Sequence, residues 1–335
     1  MARQTKTDPQ IEAVLKRLDT LAASAPDLSE PIAFYRAVLP ALREAQADVE
    51  SFTLAPEAAQ RKLEAGLPLL VGEELPVDAE ATRALFLRLC RLAETFSAPA
   101  DGKGKPGRPA WSFFSRGRPD APALMERAHD GDGAALRSAA AEQIRRAVEG
   151  RDGASGRPLL DLPAVWAALA GGDWRRVELM AAGLRLDPGL LRLLAQDSLK
   201  PALHVWAHGL KDVVDLDRWL RGQCPMCGSP PALSEIQGKE GARRLRCGMC
   251  GAGWYYPRLQ CAFCGSQDHK LLGYISAEGE AEKYRLQTCD ACRGYIKVIV
   301  TYDPIPADLL PVEDLATLHL DLIADEREYV RVPVQ

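Results

Sequence analysis

The chain has 335 residues, 47% of them hydrophobic and 26% charged, with a formal net charge of −4. That length suits two or three domains, the balanced charge argues against a dedicated polyanion binder, and no apolar run reaches the ~18 residues of a membrane span. The opening Met1-Ala2-Arg3-Gln4-Thr5-Lys6-Thr7-Asp8-Pro9 has no apolar stretch behind its basic residues, so no export signal is read there and a cytoplasmic protein is expected.

Up to residue 221 the text is rich in Ala, Leu, Arg and Glu at helical spacing. Ile11, Val14, Leu15 and Leu18 fall at i, i+3, i+4 and i+7 behind Asp8-Pro9, a helix start. Similar patterns run at about 31–49, 77–96, 122–149, 161–171, 173–184 and 188–221, separated by turn signals such as Gly66-Leu67-Pro68, Gly171-Gly172 and Asp187-Pro188-Gly189. Residues 1–221 are therefore expected to form one helical domain. Within it, about 97–122 breaks the pattern around Gly102-Lys103-Gly104-Lys105-Pro106-Gly107-Arg108-Pro109, a composition that cannot bury a core and predicts a mobile basic loop. Trp111, Phe113 and Phe114 interrupt its polarity, either to dock on a partner or to tuck onto their own domain.

From residue 222 onward the cysteines take over. Eight of the nine lie in C-x-x-C pairs: Cys224/Cys227, Cys247/Cys250, Cys261/Cys264 and Cys289/Cys292. In a chain without an export signal, thiols arranged in two-spaced pairs read as metal ligands rather than disulfides. Two residues between the thiols let both sulfurs of a tight turn face one cation, and two such turns complete a tetrahedral four-thiolate shell that zinc and iron both accept. The pairs are separated by 19, 10 and 24 residues. Gaps of 19 and 24 suit a small β-ribbon closing on itself, which assigns Cys224, Cys227, Cys247 and Cys250 to one site and Cys261, Cys264, Cys289 and Cys292 to another. Spacing alone leaves an interleaved pairing open. Cys224-Pro225-Met226-Cys227-Gly228 has the C-P-x-C-G form of a rubredoxin knuckle, but zinc ribbons use the same turn, and the metal stays open. Short strands are expected at 243–246, 253–259, 270–276, 284–288 and 295–302, and a last amphipathic helix sets Leu315, Leu318, His319 and Leu322 on one face with Asp314, Asp321 and Asp325 on another. The fold class that results is multidomain α+β: a helical N-terminal domain at 1–221, a first four-cysteine module of the rubredoxin or zinc-ribbon kind at 222–259, and a second at 260–335 with the C-terminal helix.

Other candidate chemistry is weak. His204 and His208 share a helix side without the glutamate of H-E-x-x-H, and Glu126-Arg127-Ala128-His129 is a single E-x-x-H where a di-iron bundle needs two. Cys90, among Leu85, Phe86, Leu87 and Leu89, reads as a buried small hydrophobe. No phosphate loop, dinucleotide fingerprint or G-x-S-x-G is present, so no catalytic residue is assigned. Between Cys224 and Cys292 eight Lys/Arg face seven Asp/Glu, and thiolates around two divalent ions make the balance negative, which argues against a nucleic-acid partner. Trp254, Tyr255 and Tyr256 either form a contact surface or pack over the metal.

The block Cys224-Pro225-Met226-Cys227-Gly228-Ser229, Arg244-Leu245-Arg246-Cys247-Gly248-Met249-Cys250, Trp254, Arg258, Cys261-Ala262-Phe263-Cys264 and Cys289-Asp290-Ala291-Cys292 with Tyr295-Ile296-Lys297 resembles the formate dehydrogenase accessory proteins, the FdhE type. Asp314-Leu315-Ala316-Thr317-Leu318-His319-Leu320-Asp321 is similar to that family's closing helix. The resemblance is specific over about 220–325 and general over the helical part. It implies two rubredoxin-like modules holding two iron ions per chain, with zinc as the alternative. It further implies a non-catalytic cytoplasmic factor that binds the catalytic subunit of respiratory formate dehydrogenase and is needed for that enzyme's activity. The metals then rigidify ribbons that present a recognition surface. A rubredoxin-like electron carrier and a zinc-ribbon nucleic-acid binder are the alternatives. The basic stretch at 101–109 has no place in the family pattern.

Overall fold

The computed structural model describes residues 8–72, 75–95 and 133–331. The basic loop expected at 97–122, its Trp111, Phe113 and Phe114, and Glu126 and His129 lie outside the described residues.

The N-terminal part is helical: α1 (Pro9–Ser24), α2 (Ser29–Gln46), α3 (Pro56–Glu64), α4 (Ala79–Thr95), α5 (Gly133–Glu149), α6 (Leu162–Ala170), α7 (Trp174–Gly183) and α8 (Pro188–Leu210). Aspartates start several of them. The side chains of Asp8, Asp161, Asp173 and Asp187 accept from the backbone N–H of Gln10, Ala164, Arg176 and Leu190, satisfying donors that have no partner inside the helix. The nine residues of α3 were not anticipated, because the buried Ala59 and the half-buried Leu63 are too few apolar positions to show a helical period. The helix expected to run from 188 to 221 ends at Leu210. Beyond it Asp215 accepts from the N–H of Asp217 and turns the chain into a short 3₁₀ segment, Leu216–Arg218.

α8 is the spine of the molecule. Its first half places Leu190, Leu191, Leu194 and Ala195 in the helical core with Leu18, Val38, Phe86 and Ile144. Its last turns place Trp206, Ala207 and Leu210 in a second core shared with Leu69, Leu70, Trp219, Leu245, Trp254 and the cysteines of the first cluster. The indole N–H of Trp206 donates to the Glu50 carbonyl at 2.9 Å, so this bulky side chain is buried with its polar atom satisfied.

Six strands form one sheet in the order β3-β2-β1-β6-β5-β4: β1 (Pro231–Gln237), β2 (Ala242–Cys247), β3 (Gly253–Tyr255), β4 (Leu272–Ile275), β5 (Tyr284–Cys289) and β6 (Gly294–Thr301). Each module runs knuckle, strand, strand, knuckle, strand, so β1, β2, β3 correspond to β4, β5, β6. The modules do not stand apart. β1 pairs in parallel with β6 from Leu233↔Lys297 to Gln237↔Thr301, and the second module repeats the first by translation along the sheet. β1 was not foreseen from sequence. Its Pro231, Ser234 and Glu235 are not residues that favour a buried strand, yet β1 is central and both Ser234 and Glu235 are fully buried. Glu235 is tolerated there because Arg246 on β2 donates to it at 2.5 Å.

The C-terminal helix expected from sequence is two helices, α9 (Leu310–Ala316) and α10 (Leu318–Glu326), broken at Thr317, whose hydroxyl donates to the Glu313 carbonyl. The break rotates the pattern, so the expected faces are corrected: Leu315 and Leu320 are buried, Leu322 is exposed, and Asp314 and Asp321 turn inward. There the buried Lys297 ammonium lies 2.6 Å from Asp314 and 2.8 Å from Asp321, Arg331 reaches both carboxylates at 2.5 and 3.2 Å, and Tyr295 donates to Asp321 at 2.6 Å. A bidentate Arg17–Glu313 pair ties the same α9 back to α1.

Burial pushes the Asp314 carboxyl up, but Arg331 and Lys297 more than offset this and hold it below its ordinary 3.8. The stability this contributes is therefore complete above the unfolded value and drains away as pH falls below about 4. Replacing Lys297 by Met should cost about 3–5 kcal/mol, because two buried carboxylates lose a partner. Thermal melts at pH 7 check the loss, and Asp314→Asn should flatten the decline of melting temperature below pH 4.

Candidate metal centres

Each C-x-x-C closes a tight turn of one design. The N–H of the residue after the second cysteine donates to the carbonyl of the first: Gly228 to Cys224 at 2.9 Å, Gly251 to Cys247 at 3.1 Å and Gly265 to Cys261 at 3.1 Å. This geometry needs a left-handed residue, and the three glycines have φ of +75°, +73° and +72°. In the fourth turn Arg293 takes the position at φ +56°. Its guanidinium donates to the Arg327 carbonyl at 2.6 Å and stacks 4.1 Å over the Tyr329 ring, fastening the chain's last described turn at the cost of a strained backbone. Backbone N–H groups turn toward sulfur: Met249 and Cys250 to Cys247, and Phe263 to Cys261, at 3.4–3.5 Å.

The folded chain brings Cys224, Cys227, Cys247 and Cys250 into one cluster and Cys261, Cys264, Cys289 and Cys292 into another, with the sulfurs of each within 4.8 Å of one another. This is the sequential pairing, not the interleaved one. In the first cluster Cys224 lies 3.5 Å from Cys250 and Cys227 3.5 Å from Cys247. In the second, Cys261 lies 3.8 Å from Cys292 and Cys264 3.7 Å from Cys289. A tetrahedral ion with metal–sulfur bonds of about 2.3 Å sets its sulfurs about 3.8 Å apart, so both clusters fit such an ion.

Electrostatics point the same way. Burial pushes the thiols of Cys224 and Cys250 well above their ordinary value and that of Cys261 up to about 11, while hydrogen bonds from Cys224, Cys247 and Cys250 lower Cys227. Four thiolates share so small a volume only when a cation neutralises them.

Around the first cluster, Trp254 is fully buried and its indole donates to the Arg221 carbonyl at 3.0 Å. Tyr256 is buried as well, its hydroxyl donating to the Cys261 carbonyl at 3.0 Å and linking one module to the other. Of the aromatic trio these two pack over the clusters, and Tyr255 is exposed. Arg243, unremarkable in sequence, is 1% exposed: it stacks on Tyr256, donates to Ser234 and holds the carbonyls of Pro257 and Gln260 at 3.0 and 2.8 Å. Burial pulls its pKa down to about 10, so it keeps its charge at neutral pH. The only sequence signal for it was an arginine in a strand leading to cysteine.

The remaining candidates separate. His204 is half-buried between Gln46 and Asp308, and its desolvation pulls it down to about 4, so it is neutral at pH 7. His208 is exposed on the same helix. Cys90 is buried in the helical core with its thiol pushed up to about 12, far from nucleophile chemistry.

The family profile "FdhE, central domain" matches residues 223–258 and "FdhE, C-terminal domain" matches 259–335, one knuckle cluster each. Over residues 223–335, about a third of the chain, the match is to the FdhE family. It is 36% identical over 153 residues to "Protein FdhE homolog" of Aquifex aeolicus, covering 44% of this chain and 52% of the relative. To the "Protein FdhE homolog" of Pseudomonas aeruginosa it is 34% identical over 201 residues, 58% of each. The chain thus spans about half the length of the curated relatives it matches. The crystal structure of the FdhE protein from Pseudomonas aeruginosa superposes with a TM-score of 0.56 at 26% identity, covering 96% of this chain and 92% of that one, helical part included.

Two glycines of equal role separate backbone strain from crowding. Gly251→Ala and Gly265→Ala should each cost about 1–2 kcal/mol for a side chain at positive φ. At Gly251 the new Cβ also falls 2.5 Å from Ala307, whereas at Gly265 the nearest atom is Gln260 Nε2 at 3.8 Å. Gly251→Ala should therefore lower the melting temperature more and loosen the first cluster's metal. Melting curves with metal analysis of both variants check this.

Proposed function

We propose that this FdhE-family chain is a non-catalytic accessory factor, a chaperone-like maturation protein acting in the cytoplasm. It binds the catalytic subunit of a respiratory formate dehydrogenase and is needed for that enzyme to become active. The observation that carries the reading is the coincidence of the two four-sulfur clusters with the family's two matched domains. Saturated four-thiolate sites suit a binding protein, since a catalytic metal keeps an open position.

The eight ligands in this reading are Cys224, Cys227, Cys247, Cys250, Cys261, Cys264, Cys289 and Cys292, holding two iron ions, or zinc in their place. The ion supplies the charge that lets four thiolates share one shell, and iron adds a one-electron couple. This chain's own residues do the rest. The left-handed turns aim the sulfurs, Trp254 and Tyr256 exclude water, and Arg243 and Arg246 pin the loops and strands that carry the cysteines.

A nucleic-acid partner is disfavoured by the fate of the basic run in β2. Arg243 is buried, Arg244 is paired with Asp217 at 2.6 Å, and Arg246 is paired with Glu235, so these charges form no phosphate-binding stripe. Among the described residues no helix is long and apolar enough to cross a membrane.

Co-purification tests the partner. A tagged chain should bring down the formate dehydrogenase catalytic subunit, and a strain lacking the factor should regain formate dehydrogenase activity when this chain is supplied. The Cys247→Ala/Cys250→Ala pair should abolish both; activity restored without any association would count against recognition. Metal analysis with a visible spectrum on protein purified without air distinguishes two irons with thiolate-to-iron absorption from two colourless zincs.

A further inference from the structure

The two clusters share chemistry and differ in enclosure. In the first, Cys224, Cys247 and Cys250 are buried, and the half-buried Cys227 lies under a roof from the helical part. There the N–H groups of Leu69 and Leu70 donate to the carbonyls of Pro225 and Met226 at 2.9 and 2.8 Å. A Cβ at Gly228 would touch Pro68 at 3.3 Å and Val71 at 3.5 Å, and one at Gly251 would meet Ala307 and His204. Both knuckles of the first module are thus covered by residues from outside it. In the second module Cys261 and Cys289 are buried, but Cys264 is exposed and Cys292 half-buried. At Gly265, which follows Cys264 as Gly228 follows Cys227, a Cβ would find among the described residues only Gln260 Nε2, at 3.8 Å. The translational repeat accounts for the difference: the second module sits one step along the sheet from the first, beyond the roof formed by 67–71 and α8.

We propose that the second cluster is an exchange site, entered at Cys264 by a soluble thiol or chelating ligand, whereas the first cluster retains its ion. This rests on reading both clusters as metal sites. Exchange at a saturated four-thiolate ion requires the incoming donor to approach before a resident ligand leaves, a crowded five-ligand arrangement that an open face permits and a roof prevents. The incoming sulfur bonds to the ion as the bond to Cys264 Sγ breaks, and the thiol's proton passes to Cys264. Charge and ligand number at the ion are unchanged, and no electron moves. One module is then a permanent staple, and the other a site whose ion and shape respond to the thiols around it.

The test uses the full chain, reduced, loaded with two equivalents of zinc and kept without air. A chelating dye reports release, with and without 2-mercaptoethanol. One equivalent should leave at least ten-fold faster than the other, and the thiol should accelerate the fast equivalent alone. N-ethylmaleimide added after the fast phase should label Cys261, Cys264, Cys289 and Cys292 and spare Cys224, Cys227, Cys247 and Cys250, read by peptide mass spectrometry. Two equivalents released together, or labelling of the first cluster before the second, would overturn the exchange site while leaving both metal sites in place. A chain that holds fewer than two equivalents at the outset overturns the two-site reading and this inference with it.

Discussion

Four sulfurs held within one coordination sphere are the constraint on which the C-terminal part of this protein depends. Buried thiols resist ionisation and buried thiolates repel, so the arrangement is stable only around a cation, whose binding is then folding free energy. The strands are organised around that closure. β1 enters its ladder at Pro231↔Cys247, β4 meets β5 at Leu272↔Cys289, and β5 and β6 are joined at Cys289↔Gly294, so cluster geometry and strand register are one constraint. Three-stranded ribbons of this size bury too little apolar surface to persist alone, which is why a metal staple in each suits the architecture.

The second organising principle is the placement of buried charge. Glu235–Arg246 sits in the central strands, and Lys297 with Asp314, Asp321 and Arg331 binds the sheet to α9 and α10. Such pairs contribute little net stability compared with apolar contacts, but breaking one leaves an uncompensated charge in the interior, so they specify which surfaces meet. Arg17–Glu313 and the α8 spine then join this assembly to the helical body. The two modules share one order of knuckles and strands and have unequal surroundings. One is built into the helical body's second core with its cysteines, and the other reaches that core through Ala262, Phe263 and Ile296 while Cys264 stays exposed.

This inequality shapes the functional reading. In the proposed reading a binding protein needs a rigid surface whose form does not depend on turnover, and the enclosed first ribbon on its helical support suits that. Trp254 and Tyr256, whose position beside the cysteines suggested a contact surface, are spent on packing and on linking the modules. The surface available for recognition therefore lies elsewhere.

Most of the candidate site was legible in the sequence, because C-x-x-C followed by glycine is a local rule: a two-residue turn, a left-handed position and two sulfurs facing one point. The ligand set, the fold class, most of the helices and the family resemblance all rest on such local or periodic patterns. The strand β1 was not legible, since Pro231, Ser234 and Glu235 carry no local preference for a central strand, and Glu235 is tolerable there through partners that folding supplies, Arg246 eleven residues away and the N–H of Ile305, beside its neighbour Gln237. The faces of the last helices were misread for a related reason, a break at Thr317 that moves Asp314 and Asp321 toward Lys297 on a distant strand. Sequence alone determined which residues can hold metal, because that chemistry is written in spacing. Only the tertiary structure decided which cluster is enclosed and which is open, because enclosure comes from residues 67–71, His204 and Ala307, brought together by long-range packing that no local pattern encodes.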